Sequence, residues 1–178
     1  MATIDDLMRV EGKAELIGGA IVRFAPLGLS PSRAKLEIAV SLHEHAGAIG
    51  RGYAFAGGLG YEIPILRSGR ESFCPDASYY VGQLPADRMR FIEGPPTFAV
   101  EIHGEDDYGP AAERERTAKR ADYFEAGTLF VWDVDPKADT IRCYPGSESS
   151  MAEFARGEIA DAEPAVPGWR IALDTIFG

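Results

Sequence analysis

The chain has 178 residues, is 46% hydrophobic, and carries 28 acidic against 18 basic side chains, a formal net charge of −10 at pH 7. This length and composition predict one domain, residues 1–178, with a substantial core. The acidic excess disfavours non-specific DNA binding, which depends on Lys and Arg neutralising phosphates. The sequence has no apolar run long enough for a membrane helix, no signal-peptide pattern and only two cysteines, which predicts a cytoplasmic protein without a disulfide framework.

Turn and cap signals divide the first part of the chain into short elements. Gly18-Gly19 between two apolar segments predicts a tight β-hairpin. Ser30-Pro31 predicts a helix start, with Ser30 as the N-cap and Pro31 at the first helical position. The predicted elements are a short capped helix at Thr3, strands over 14–17 and 20–24, a helix from Ser30 to Gly50, and strands over 53–55 and 60–66.

Two apolar segments in the middle of the chain, Phe73–Val81 and Thr97–His103, have the composition of buried strands. Gly127 marks the end of a helix that follows them. The other predicted elements are a loop over 82–96, an acidic loop over 104–110, a helix over about 111–126, strands over 128–134 and 140–144, two short strands around Gly157 and Pro167-Gly168, and a helical turn over 173–177. Together they predict an α+β fold: a bent mixed sheet with a helix on each side and an N-terminal hairpin.

Each of the two apolar segments carries one acid, Asp76 or Glu101. A buried acid is costly unless a cation meets it, so two of them in successive strands suggest a metal site. Mg²⁺ takes one or two protein carboxylates together with water and substrate phosphate, and the backbone carbonyl of Ile102 could be a third ligand. Lys119, on the following helix and sharing a face with Tyr123, could orient or deprotonate the attacking water.

The residues alone leave other interpretations open. The two acids could be plain buried ion pairs that support the fold. A basic stripe on the second long helix, Arg114, Arg116, Lys119 and Arg120, is more typical of a solvated face than of a nucleic-acid site. A glycosidase would also need two carboxylates, but it would expose sugar-stacking aromatic residues, whereas the aromatic residues here lie inside strand patterns.

Several motifs in order resemble the Uma-type family of restriction-endonuclease-like proteins, within the PD-(D/E)XK nuclease superfamily. The similar segments are Ala14–Ile21, Cys74–Asp76, Phe98–Ile102, Lys119–Gly127, Val131–Pro136 and Pro167–Arg170. The resemblance covers the chain from about residue 3 onward, and it rests on the order and spacing of motifs that are individually loose.

The resemblance implies a DNA endonuclease that depends on Mg²⁺ or Mn²⁺, works as a homodimer and hydrolyses phosphodiester bonds. Asp76 and Glu101 would be metal ligands, with the Ile102 carbonyl as a further ligand. Lys119 would be the catalytic lysine, moved from the strand to the helix.

Three further residues could assist this site: Glu15, Tyr123 and His103. His103 stands in the strand position where the superfamily usually has its lysine. A second hypothesis is a catalytically inactive nuclease fold that acts as a binding or regulatory module. Two features favour it: the net charge of −10, and the segment Ile102–Glu105, which differs from the family's usual pattern after its glutamate.

Overall fold

A computed structural model describes residues 1–178 and shows a mixed six-stranded sheet with a helix on each face. The helices are α1 (Ile4–Leu7), α2 (Leu29–Ile49), α3 (Pro110–Ala126) and α4 (Leu173–Phe177), with a 3₁₀ turn at Glu148–Ser150. The first strands are β1 (Ala14–Ile17), β2 (Ala20–Arg23), β3 (Tyr53–Ala56), β4 (Tyr61–Glu62), β5 (Ser72–Phe73), β6 (Ala77–Tyr80) and β7 (Ile92–Glu93). The others are β8 (Phe98–Ile102), β9 (Phe130–Asp135), β10 (Thr140–Pro145), β11 (Ala152–Ala155), β12 (Ile159–Asp161) and β13 (Arg170–Ala172). None of the helices is long and apolar enough to cross a membrane.

The main sheet has the strand order β11-β10-β9-β8-β6-β3. Within this sheet only β8 and β9 pair in parallel, and α3 makes the crossover between them, because parallel neighbours need a long connection. Smaller sheets are formed by the β1-β2 hairpin, by β12-β13 and by β5-β4-β7. This architecture confirms the predicted α+β fold and the N-terminal hairpin.

The two faces of the main sheet bury different cores, because successive strand residues point to opposite sides. Phe98, Val100 and Ile102 of β8 belong to the core that includes the apolar face of α2, while Ala99 belongs to the core that includes Tyr123 of α3. Glu101 therefore points to the α3 side. The candidate site therefore lies on that side of the sheet.

Three predicted boundaries were wrong in the first half of the chain. Helix α2 starts two residues early, with Gly28 as its N-cap, and Pro31 lies in the first turn, where its missing N–H has no intrahelical acceptor to lose. The predicted strand over 60–66 is only Tyr61–Glu62, and the predicted loop over 82–96 contains β7, which pairs with it.

The predicted strand over 73–81 was also wrong, because two strands occupy it and belong to different sheets. The break falls at Cys74-Pro75-Asp76, and Pro75 cannot donate to a strand ladder. The C-terminal segment likewise has three short strands where two were predicted. The end of α3 was predicted correctly: Gly127 caps it with φ 109° and donates to the carbonyls of Phe124 and Tyr123.

Candidate active site

The two acids from the central strands lie side by side on the α3 side of the main sheet. Ala77 pairs with Val100 in the antiparallel β6-β8 ladder, so the preceding Asp76 lies beside Glu101. The backbone fixes Asp76 at this point. Its N–H donates to the Val100 carbonyl at 2.9 Å, and its Oδ2 accepts the N–H of Ile102 at 2.9 Å.

Lys13, just before β1, bridges these two acids. Its Nζ lies 3.0 Å from Asp76 Oδ1 and 3.1 Å from Glu101 Oε2. The Asp76 side chain is only 2% exposed, so its ion pair is shielded from water. Two carboxylate oxygens from neighbouring strands therefore converge on one cationic atom.

Helix α3 supplies the other partners of Glu101. Lys119 and Tyr123 are four residues apart and so share a helix face. Lys119 Nζ lies 2.8 Å from Glu101 Oε1, and the Tyr123 hydroxyl donates to the same oxygen at 2.6 Å. Glu101 is thus held by Lys13 on one carboxylate oxygen and by α3 on the other.

Glu15 of β1, fully buried, connects the site to the protein interior. Its Oε1 lies 2.8 Å from Lys119 Nζ and accepts the N–H of Cys74 at 2.9 Å, while its Oε2 pairs with Arg70. Arg70 Nε in turn lies 2.8 Å from Asp122 Oδ2. Acids and bases alternate along this row, which we call the charge chain: Asp122, Arg70, Glu15, Lys119, Glu101, Lys13 and Asp76.

The charge chain shifts the pKa values of Glu101 and Asp76 in opposite directions. Burial works to raise the pKa of Glu101, but the ammonium groups of Lys119 and Lys13 outweigh it and lower the pKa to about 2. For Asp76, burial and the neighbouring Glu101 outweigh Lys13, so its pKa is raised above the usual value. Burial works to lower the pKa of Lys13, but Glu101 and Asp76 raise it, so Lys13 is a permanent cation at neutral pH.

A cavity of about 670 Å³ opens over the charge chain. Its walls include the segment after β2 and the acidic loop before α3. The ring of Phe24 lies over both lysines, with its centroid 5.3 Å from Lys13 Nζ and 5.0 Å from Lys119 Nζ. A space of this size is typical of a ligand-binding site.

Comparisons with known proteins place the chain in a family. A family model, Uma2, described as "Putative restriction endonuclease", matches residues 4–174. The chain belongs to the Uma2 family. A crystal structure described as "a putative nuclease belonging to DUF820", from Anabaena variabilis, is similar with a TM-score of 0.75 over 99% of this chain and 98% of that chain; at 17% identity this likeness shows the fold alone. No curated protein matches the chain.

The family assignment confirms the resemblance inferred from the motifs, and the structure shows where the predicted site residues lie. Asp76, Glu101, Lys119, Glu15 and Tyr123 meet at one place. Ile102 also borders the cavity. Their proximity does not test catalysis, so the catalytic roles of these residues stay predictions.

His103 lies apart from this group. It does not line the cavity; its ring packs against Tyr108 with centroids 5.7 Å apart, and its Nδ1 is 4.0 Å from Asp135 Oδ2. Neither ring nitrogen has a hydrogen-bond partner, and burial together with the charge of Arg116 lowers its pKa to about 4. His103 is therefore a buried neutral side chain at neutral pH.

The basic stripe is not a solvated face, contrary to the sequence-based expectation. Arg120 is buried and pairs with Asp133 and Glu148, and Arg116 pairs with Glu113 at 2.7 Å. Lys119 belongs to the charge chain, and of the four only Arg114 is exposed without an ion-pair partner. Most of this positive charge is neutralised inside the protein.

The oxygen donors at this site of the Uma2 protein have the chemistry that a divalent cation requires. No three Asp, Glu, His or Cys side chains form a ready-made cage. Two hard carboxylate oxygens nevertheless converge on Lys13 Nζ, and Mg²⁺ completes such a pair with water and phosphate oxygens. The amide of Ile102 already points to Asp76, and in an extended strand the carbonyl of a residue points to the same side as its amide.

Sequence reasoning missed Lys13 and Arg70 as members of the site. Lys13 lies 63 residues from Asp76 and 88 residues from Glu101 along the chain, so no local spacing connects them. The sequence gives only a general signal, that buried acids require cations, and it does not say which cations meet them.

Proposed function

We propose that this Uma2 protein is a DNA nuclease that hydrolyses phosphodiester bonds with Mg²⁺ or Mn²⁺ as cofactor. Asp76 and Glu101 are the carboxylate ligands in this proposal, and the Ile102 carbonyl is a third ligand. The observation that supports it most is the convergence of Asp76 Oδ1 and Glu101 Oε2 on one cationic atom, at 3.0 and 3.1 Å. Hard oxygen donors meeting at one point are what these cations require.

The surrounding side chains suit the reaction. A bound divalent cation supplies Lewis-acid chemistry and lowers the pKa of a coordinated water. Lys119 makes ion pairs with Glu101 and Glu15 and also lines the cavity, where its positive charge can stabilise a phosphate oxygen. Tyr123 and Glu15 are positioning residues, since they hold Glu101 and Lys119 in place.

Asp76→Asn tests the proposal. The change keeps the shape of the side chain and removes its charge, so we expect loss of Mn²⁺ binding in calorimetry and loss of DNA cleavage. Folding should be preserved, because burial already raises the pKa of Asp76 and the neutral amide avoids that desolvation cost. Asp87→Asn is a matched control, because Asp87 is exposed and does not line the cavity. Undiminished Mn²⁺ binding by Asp76→Asn would contradict the proposed site.

The second candidate function is a catalytically silent nuclease fold that binds or regulates a partner. Two observations favour it: the formal charge of −10, and the neutralisation of Arg116 and Arg120 by internal carboxylates. If the protein is catalytically silent, wild type should bind no Mn²⁺, and Asp76→Asn should leave the free energy of unfolding equal or higher. If the protein is a nuclease, Asp76→Asn should abolish DNA cleavage while the protein still folds normally.

We also propose that the protein acts in the cytoplasm as a homodimer, as the family resemblance and the apolar C-terminal segment suggest. Light scattering on the purified chain measures the mass in solution. A single species of 19.3 kDa would exclude the dimer.

A further inference from the structure

Lys13 occupies the position where the carboxylates of the proposed metal site converge. Its Nζ makes ion pairs of 3.0 and 3.1 Å with Asp76 and Glu101, and its side chain is 21% exposed. Without Lys13, two neighbouring acids on the same sheet face would repel each other. One function of this lysine is therefore to hold the carboxylate pair together.

The same position cannot hold an ammonium group and a divalent cation at once. Bound Mg²⁺ would lie about 2.0–2.1 Å from its oxygen ligands, which places it within the space of Lys13 Nζ, 3.0 Å from Asp76 Oδ1. We infer that Lys13 is a built-in counter-ion that assembles Asp76 and Glu101 in the metal-free protein and competes with the divalent cation for them. This inference rests on the proposed metal-dependent function.

The structure also shows what can retain the displaced ammonium group. Lys13 precedes β1 and borders the cavity, and its Nζ already lies 5.3 Å from the centroid of the Phe24 ring while it pairs with the carboxylates. Cation–π contact with this ring, whose centroid also lies 5.0 Å from Lys119 Nζ, can keep the ammonium group at the cavity after the ion pairs break. Lys13 would then face a phosphate bound in the cavity, and it would exchange its carboxylate partners for a phosphate partner.

Calorimetric titration with Mn²⁺ at pH 8 tests the competition. We expect Lys13→Met to bind Mn²⁺ at least about tenfold more tightly than wild type, because the metal no longer has to break two charge-assisted hydrogen bonds. Lys137→Met is the matched control, since Lys137 is exposed and does not line the cavity, and it should leave the affinity unchanged. A lysine that only supports the fold would give the opposite sign, weaker binding in Lys13→Met. Lys13→Gln replaces Lys13→Met if the apolar side chain prevents folding, as judged by circular dichroism.

A second readout follows the displaced lysine. Binding of a fluorescein-labelled DNA duplex is measured by anisotropy in saturating Ca²⁺, so that metal occupancy is equal in all variants, and Lys13→Met should bind it several-fold more weakly, while Lys137→Met binds it like wild type. Equal or weaker Mn²⁺ binding by Lys13→Met, with wild type binding normally, would overturn the Lys13 inference alone. If neither wild type nor Lys13→Met binds Mn²⁺, the proposed metal site and the inference both fail. Tighter Mn²⁺ binding with unchanged DNA affinity would overturn the phosphate contact.

Discussion

Replacing Glu101 with Gln should destabilise the protein by an amount that depends on pH. The pKa of Glu101 is lowered from 4.5 to about 2 in the folded protein. A lowered pKa means that the charged form is stabilised, so this stability is fully present above pH 4.5 and is lost as the pH falls towards 2. At about 1.36 kcal/mol per pKa unit, the charge of Glu101 contributes roughly 3 kcal/mol at pH 7 and roughly 2 kcal/mol at pH 3.5.

Urea unfolding of wild type and Glu101→Gln at the two pH values measures this difference. Because Gln cannot ionise, the destabilisation should shrink by about 1 kcal/mol between pH 7 and pH 3.5. Glu105→Gln, on the exposed acidic loop, is the control and should change stability by no more than about 0.5 kcal/mol at either pH. A destabilisation by Glu101→Gln that is the same at both pH values would refute the assignment of this stability to its charge.

Two other substitutions probe the parts of the fold that hold the site. Arg70→Met should lower the free energy of unfolding in urea by about 3–5 kcal/mol, because it leaves the fully buried Glu15 with one cation fewer. A decrease below about 1 kcal/mol would contradict a role for Arg70 in the charge chain. Gly52→Ala should cost about 1–3 kcal/mol, because Gly52 has φ +73° and its new methyl group would collide with the ring of Tyr79. An unchanged thermal midpoint for Gly52→Ala would show that Tyr79 can move aside.

Local sequence signals predicted the elements that carry the site. Gly18-Gly19 marked the hairpin that carries Glu15, and Gly127 marked the end of the helix that carries Lys119 and Tyr123. The apolar run around Glu101 marked the central strand β8. These signals work because each depends on a backbone conformation or a side-chain period within a few residues.

The remaining features depend on contacts between distant segments. The chain passes from one sheet to another at the break between β5 and β6. Pro75 lies at this break, but the apolar composition of 73–81 predicts one strand. The partners of Lys13 and Arg70 lie more than 50 residues away, so only the packed structure identifies them. His103 shows the opposite case: its position in the sequence suggests a role, but its ring packs against Tyr108 and does not line the cavity.

The balance of charge along the charge chain connects the proposed metal to the proposed substrate. Its four carboxylates and three basic groups leave one net negative charge beneath the cavity, which repels a phosphodiester. The proposed divalent cation would change the net charge of this group from one negative to one positive charge. The ion would then be the largest local charge. An acidic protein could in this way bind DNA at one place without a basic surface, and its affinity for DNA should rise with the occupancy of the metal site.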